Sequence, residues 1–280
     1  MILDAVALVL ERVLPFVPGR LVAPISEIAG TVAYLAAPRA RAAVRSNHLV
    51  IAPGRRPRVR RTFVNQVRNY LETFRLMRLD RSHIERDVDV AGWERAVQAL
   101  EDRRGIVFAT AHFGPVIVVG QILMARGLEV TVPLEPKSDP LGRAIDRARS
   151  RFGARFVDTT SAMAIARVLR HGGILGVLAD RAVTGVGEVV EFFGRPALLP
   201  SAHVALALRT GAPLLPGFAH RRDGRLVAEL EPPIALERTA DREADLRRGV
   251  RAFAQVMERH IAEAPEEWAN FQPVWDRGQS

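Results

Sequence analysis

The 280-residue chain contains no cysteine, which excludes a disulfide framework, a zinc–thiolate site and a cysteine nucleophile. Lysine is almost as scarce: Lys137 is the only one, so the net charge of +9 rests on arginine. Guanidinium forks match phosphate oxygens, and a surface so composed favours an anionic partner. Aromatic residues make up only 6%. Zinc-finger and RNP-like motifs are missing and the arginines are spread along the chain, which argues against nucleic acid as that partner. Without a Gly-x-Ser-x-Gly segment, covalent catalysis by a serine at a strand-to-helix elbow is not expected. No apolar run approaches the ~20 residues that a membrane-spanning helix needs. The opening stretch, residues 1–17, is not expected to act as a secretory signal either: Asp4 stands where positive charge belongs, and Glu11, Arg12 and Pro15 interrupt it.

What is present describes a globular protein, 48% hydrophobic and 25% charged, long enough to bury a full core. Residues 1–85 read as a helical extension, with helices over 2–14, 21–37, 38–51 and 58–80. In the last of these Val59, Phe63, Val67, Tyr70, Leu71, Phe74 and Met77 recur at helical spacing. The apolar patch 28–37 is followed by Arg39, Arg41 and Arg45, then by the arginine cluster at 55–61. Short apolar helices beside arginines suit an anionic membrane surface. A buried helical hairpin beside a solvated basic loop accounts for the same pattern. The expectation is a membrane-facing extension, peripheral on the cytoplasmic face of the cell membrane.

From residue 86 the pattern alternates. Helices are expected over 92–103, 115–126, 139–152, 160–171, 200–210 and 241–263, and strands over 105–111, 128–134, 154–157, 173–179, 189–193, 213–220 and 225–231, with a glycine-punctuated loop at 180–188. The fold class is therefore α/β, with a central mixed, partly parallel sheet flanked by helices. The extension 1–85 and the α/β domain 86–280 are expected to form one structural unit.

His112 is the most informative residue. It follows the apolar run 105–111, which suits a buried parallel strand, and precedes the apolar stretch 116–124. Pro115 fits a first helical position, Gly114 permits close approach to the backbone, and free N–H groups at a helix start are suited to a developing oxyanion. In open α/β sheets, ligands bind beyond the carboxyl ends of strands. His112, Glu135 and the pair Asp180-Arg181 each follow an expected strand, so these positions converge on one sheet edge. Asp180 also suits a helix cap or a simple ion pair.

The segments Ala111-His-Phe-Gly-Pro115, Leu178-Ala-Asp-Arg181, Glu191-Phe-Phe-Gly-Arg-Pro196 and Glu267-Trp-Ala-Asn-Phe-Gln-Pro-Val-Trp275 resemble, in order and spacing, the bacterial lysophospholipid and lipid A acyltransferases. The tail is most similar to the phosphatidylinositol mannoside acyltransferase branch. The resemblance implies transfer of a fatty acyl group from a thioester, acyl-CoA or acyl carrier protein, to a hydroxyl of a membrane lipid or glycolipid. It implies His112 as general base and neither a metal nor a cofactor beyond the acyl donor. Glu135 and Arg149 match an acid and an arginine near that branch's active site. Gly114, Arg149, Asp180, Arg181 and Glu188 are the candidate substrate-binding residues, and Glu135 the candidate second catalytic residue.

One position departs from the family pattern. The signature is His, four residues, then an acid, and here Ile117 stands at the acid's place. That acid normally orients the imidazole and stabilises its protonated form. Its loss opens an alternative, a degenerate homologue that binds lipid or acyl carrier without turnover. The branch carries a further acid where this chain has Val189. Glu188 is its neighbour, but in an extended strand a one-residue offset turns the side chain to the opposite face.

Overall fold

The computed structural model describes residues 12–76, 82, 86, 88–101, 104–134, 153–158, 161–182, 185–222 and 224–275. Among the described residues a short 3-10 turn at Leu14–Phe16 leads into three helices, α1 (Gly19–Ala36), α2 (Pro38–Ile51) and α3 (Val59–Leu76). The α/β region follows as β1 (Val88–Ala91), α4 (Trp93–Glu101), β2 (Ile106–Thr110), α5 (Ile117–Ala125), β3 (Val130–Leu134), β4 (Arg155–Asp158), α6 (Ala162–Arg170) and β5 (Ile174–Leu178). It continues as β6 (Glu188–Phe192), β7 (Arg195–Leu199), α7 (Ala202–Thr210), β8 (Leu214–Arg222), β9 (Arg225–Leu230) and α8 (Arg242–Glu263).

Seven strands form one sheet in the order β1-β9-β8-β2-β5-β3-β4. Every pairing is parallel except the β8–β9 hairpin, so the sheet is mixed and mostly parallel, as the alternation predicts. All five residues of β2 are buried, as a central strand covered on both faces requires. One face packs α4 and α5 around Ile106, Phe108, Ile122 and Leu123. The other packs α6, α7 and α8 around Val107, Leu169, Val204 and Phe253.

Two strands escape the sequence reading. β1 is only four residues long, and its alternation of buried and exposed positions is too short to stand out in the sequence. β7 falls in residues 194–199, a stretch to which the sequence reading assigns no element. It pairs only with β6, in a separate two-stranded sheet, where an unpaired side tolerates proline. Phe193 and Gly194, both at positive φ, make the tight turn between them.

The helical extension is tied to the rest of the chain. Glu72 of α3 is bonded by Arg221 of β8, whose guanidinium also reaches Asn69 Oδ1 at 2.9 Å and Glu267 at 3.4 Å. Asn47 of α2 donates to the carbonyls of Asn270 and Gln272 at 3.2 and 2.9 Å. Within the extension α1 and α3 cross so closely that a Cβ on Gly30 would stand 2.5 Å from Val64 Cα, and only glycine fits there. Among the described residues no single helix is long and apolar enough to cross a membrane.

Candidate active site

β2 and β5 are neighbours, and their register places Thr110 opposite Leu178. The ladder runs one step further, with the Ala179 N–H donating to Thr110 O at 2.8 Å. Two residues beyond the matched pair, on each strand, stand His112 and Asp180. His112 Nδ1 lies 2.7 Å from Asp180 Oδ1, and the other carboxylate oxygen accepts from Trp268 Nε1 at 2.9 Å. The Asp180 side chain is fully buried whereas that of His112 is 28% exposed. A carboxylate only accepts, so Nδ1 carries the proton and Nε2 presents its lone pair outward. Burial alone pushes the Asp180 carboxyl up, but His112, Arg181 and the indole N–H outweigh it and hold the group well below the usual carboxylate range. It stays ionised throughout the neutral range.

The backbone of this junction is clamped by a C-terminal segment. Ala269 N–H donates to His112 O at 2.7 Å and Gly114 N–H to Glu267 O at 2.9 Å, with Phe113 and Trp268 as an isolated antiparallel bridge. Gly114 sits at φ +55°, and a Cβ there would stand 2.1 Å from Ala219 O of β8. The glycine is required by the neighbouring strand, a role the sequence reading had assigned to an approaching substrate. Helix α5 begins at Ile117, two residues later than Pro115. Pro115 contributes its carbonyl to a leading turn, accepting from Val118 N–H at 2.8 Å. The Ile117 N–H, at the first helical position, has no intrahelical acceptor.

His112 opens on a groove lined also by Asn69, Tyr70 and Thr73 of α3, Ile117, Leu178 and Arg181. Thr73, Val116, Ile117 and Leu178 also line a second, largely apolar cavity. That cavity runs between α5 and the sheet past Gly120, Met124, Val132 and Gly176. A polar groove bearing the histidine thus continues into an apolar slot.

The expected site residues divide. His112 and Arg181 face the groove together with Gly114. Asp180 does not offer its carboxylate to a ligand, because both oxygens are taken by His112 and Trp268. It stands behind the histidine. Arg181 donates to Ala269 O, while its Nε is buried without a hydrogen-bond partner. Glu188, on β6, lies 3.5 Å from Arg247 of α8 and is not among the groove's lining residues. Glu135 and Arg149 lie outside the described residues. Trp268, which the sequence reading assigns no role at the site, is Asp180's second partner. The α3 wall was also missed, although Asn69 and Thr73, polar residues four apart on a buried helix face, are a signal of a polar cavity.

The chain belongs to the bacterial lipid A biosynthesis acyltransferase family, whose model matches residues 2–277. It is therefore a lipid acyltransferase by family. Among its relatives is the phosphatidylinositol mannoside acyltransferase of Mycolicibacterium smegmatis, 27% identical over 227 residues that cover 78% of this chain and 72% of the relative. The protein of the same name from Mycobacterium tuberculosis is 27% identical over 216 residues, covering 74% and 67%.

Proposed function

We propose that this protein moves a fatty acyl group from a thioester donor, acyl-CoA or acyl carrier protein, to a hydroxyl of a membrane lipid or glycolipid, with His112 as general base. The observation that carries this reading is the 2.7 Å bond from His112 to the buried Asp180. Nε2 takes the proton from the acceptor hydroxyl, the oxygen attacks the thioester carbonyl, and the tetrahedral oxyanion forms beside the Ile117 N–H. Collapse expels the thiolate, which is a good enough leaving group to depart with little help, and the proton held on Nε2 then passes to it. Asp180 stabilises the imidazolium between these steps. Arg181 supplies positive charge at the groove for an anionic part of donor or acceptor. The degenerate alternative rests on Ile117, and Asp180 weakens it by giving the imidazole the partner that position 117 lacks. Incubating the purified protein with a panel of acyl thioesters and lipid acceptors tests the assignment. Transfer by the wild type that persists in His112→Ala would sink it.

The apolar slot suits the acyl chain. A Cβ on Gly120 meets nothing within 4 Å, so this position opens into the slot. Gly120→Phe is expected to fill it and to lower kcat/KM for long-chain thioesters at least ten-fold more than for short-chain ones. Equal loss at every chain length would place the acyl chain elsewhere.

The N-terminal helices support peripheral binding to an anionic membrane. On α1, Ile28, Val32 and Leu35 are 69, 60 and 63% exposed, and their spacing puts them along one face. Arg39, Arg45, Arg55 and Arg56 are exposed nearby in sequence. Part of the basic cluster is neutralised, since Arg60 pairs with Glu27 at 2.7 Å and Arg58 with Glu266 at 2.8 Å. The expected result is binding to anionic vesicles that weakens with salt and drops when Ile28 and Val32 are both replaced by Asp. Equal partitioning of the wild type and the double variant would remove the membrane assignment of α1.

A further inference from the structure

A second polar cluster lies away from the groove, where the end of α8 packs on the β8–β9 hairpin. His220 of β8, Glu229 of β9 and His260 of α8 each offer one ligand atom, and the three atoms lie within 4.8 Å of one another. Both ring nitrogens of His220 are buried with no hydrogen-bond partner, although a buried imidazole normally finds at least one. His260 is held in place. Its Nε2 lies 2.7 Å from Glu231 Oε1, which leaves the lone pair on Nδ1, and its ring stacks on Phe218 at 4.2 Å between centroids. A carboxylate fixing the far nitrogen of an imidazole is the usual support of a metal-bound histidine.

We propose that His220, Glu229 and His260 bind a zinc ion that fastens α8 to the hairpin. Two imidazoles and one carboxylate suit zinc better than magnesium or calcium, which prefer all-oxygen shells. Ligands bound to zinc at 2.0–2.1 Å lie about 3.4 Å apart in a tetrahedron, so rotations of about one ångström seat them. His220 and His260 line a polar pocket with Arg222, Glu263 and Glu267, which gives the ion an entry path and leaves room for a water as fourth ligand. The positive charge of Arg221 on the same strand is directed at Glu72 and Glu267. The ion would steady the catalytic junction indirectly, because the ring of Phe113, next to His112, packs 6.2 Å from that of His260. Sequence reading expected no metal, and the ligands' separation along the chain leaves no recognisable spacing.

The test uses the full chain without a histidine tag, stripped by chelator and titrated with zinc by calorimetry and with cobalt by absorption. One saturable equivalent and visible bands of tetrahedral cobalt are expected. His220→Ala should weaken zinc binding at least 100-fold and abolish the bands, and Glu231→Gln should weaken it about 10–100-fold. His171→Ala, at an exposed histidine elsewhere, should change nothing. Glu229→Gln, on a half-buried hairpin position, decides the case should His220→Ala fail to fold: it too should lose affinity while retaining wild-type circular dichroism. Absence of a saturable equivalent, or wild-type affinity in Glu229→Gln, overturns the proposal.

Discussion

Asp180→Asn is expected to lower kcat by about three to four orders of magnitude, the loss that a mis-supported histidine suffers in serine proteases, with little change in KM. The two side chains have nearly the same volume, so the effect is one of hydrogen-bond direction. Trp268 Nε1 is a donor only and lies 2.9 Å from one Asp180 oxygen. In the variant this fixes the amide oxygen towards the indole and turns the amide NH₂ towards His112. Nδ1 must then accept, the ring proton moves to Nε2, and the nitrogen that faces the groove can no longer take a proton. Steady-state kinetics on a thioester donor and lipid acceptor decide the matter. A kcat within three-fold of wild type would show that Asp180 does not orient the base.

His112→Ala is expected to lower kcat by the 10²–10⁴ ascribed to a positioned base, to a residual rate that stays measurable, while thioester binding survives. The histidine is partly exposed, so its removal leaves the core intact. It does leave one oxygen of a buried, ionised Asp180 unpaired, at a cost above the about 1–3 kcal/mol of a neutral buried group, and the thermal midpoint should fall accordingly. Because base and orienting acid act as one unit, the double variant His112→Ala/Asp180→Asn should be no slower than His112→Ala alone. Multiplicative losses would mean that the two residues act in separate steps, and undiminished turnover in His112→Ala would remove the base from the mechanism.

The sheet and most helices were legible in the sequence because β2, β3, β5 and β8 are apolar runs bounded by glycine, proline or polar residues, and helices between them carry a different period. The identity of the supporting acid was not. Sequence order makes β3 the next strand after β2, and Glu135, which follows β3, lies outside the described residues. The sheet inserts β5 between them, so β3 stands two strand spacings, roughly 9.6 Å, from β2 while β5 adjoins it. Asp180 was visible as a polar residue at a strand end, but which strand end adjoins His112 depends on long-range pairing that no local window encodes. Trp268 was hidden for the same reason: a tryptophan near a chain's end reads as packing, and its N–H partner lies 88 residues away. The metal-ligand trio was hidden by separation as well.

The clamp formed by residues 267–269 sets the order of events in biosynthesis. A ribosome releases the seven strands before it releases this segment, so a nascent chain can hold its complete sheet while Asp180 lacks its indole partner and the His112 carbonyl lacks its donor. The His112–Asp180 pair is completed only by a segment that follows the whole sheet in the chain. The acyltransferase groove thereby stays unfinished until the segment that positions its histidine has been made.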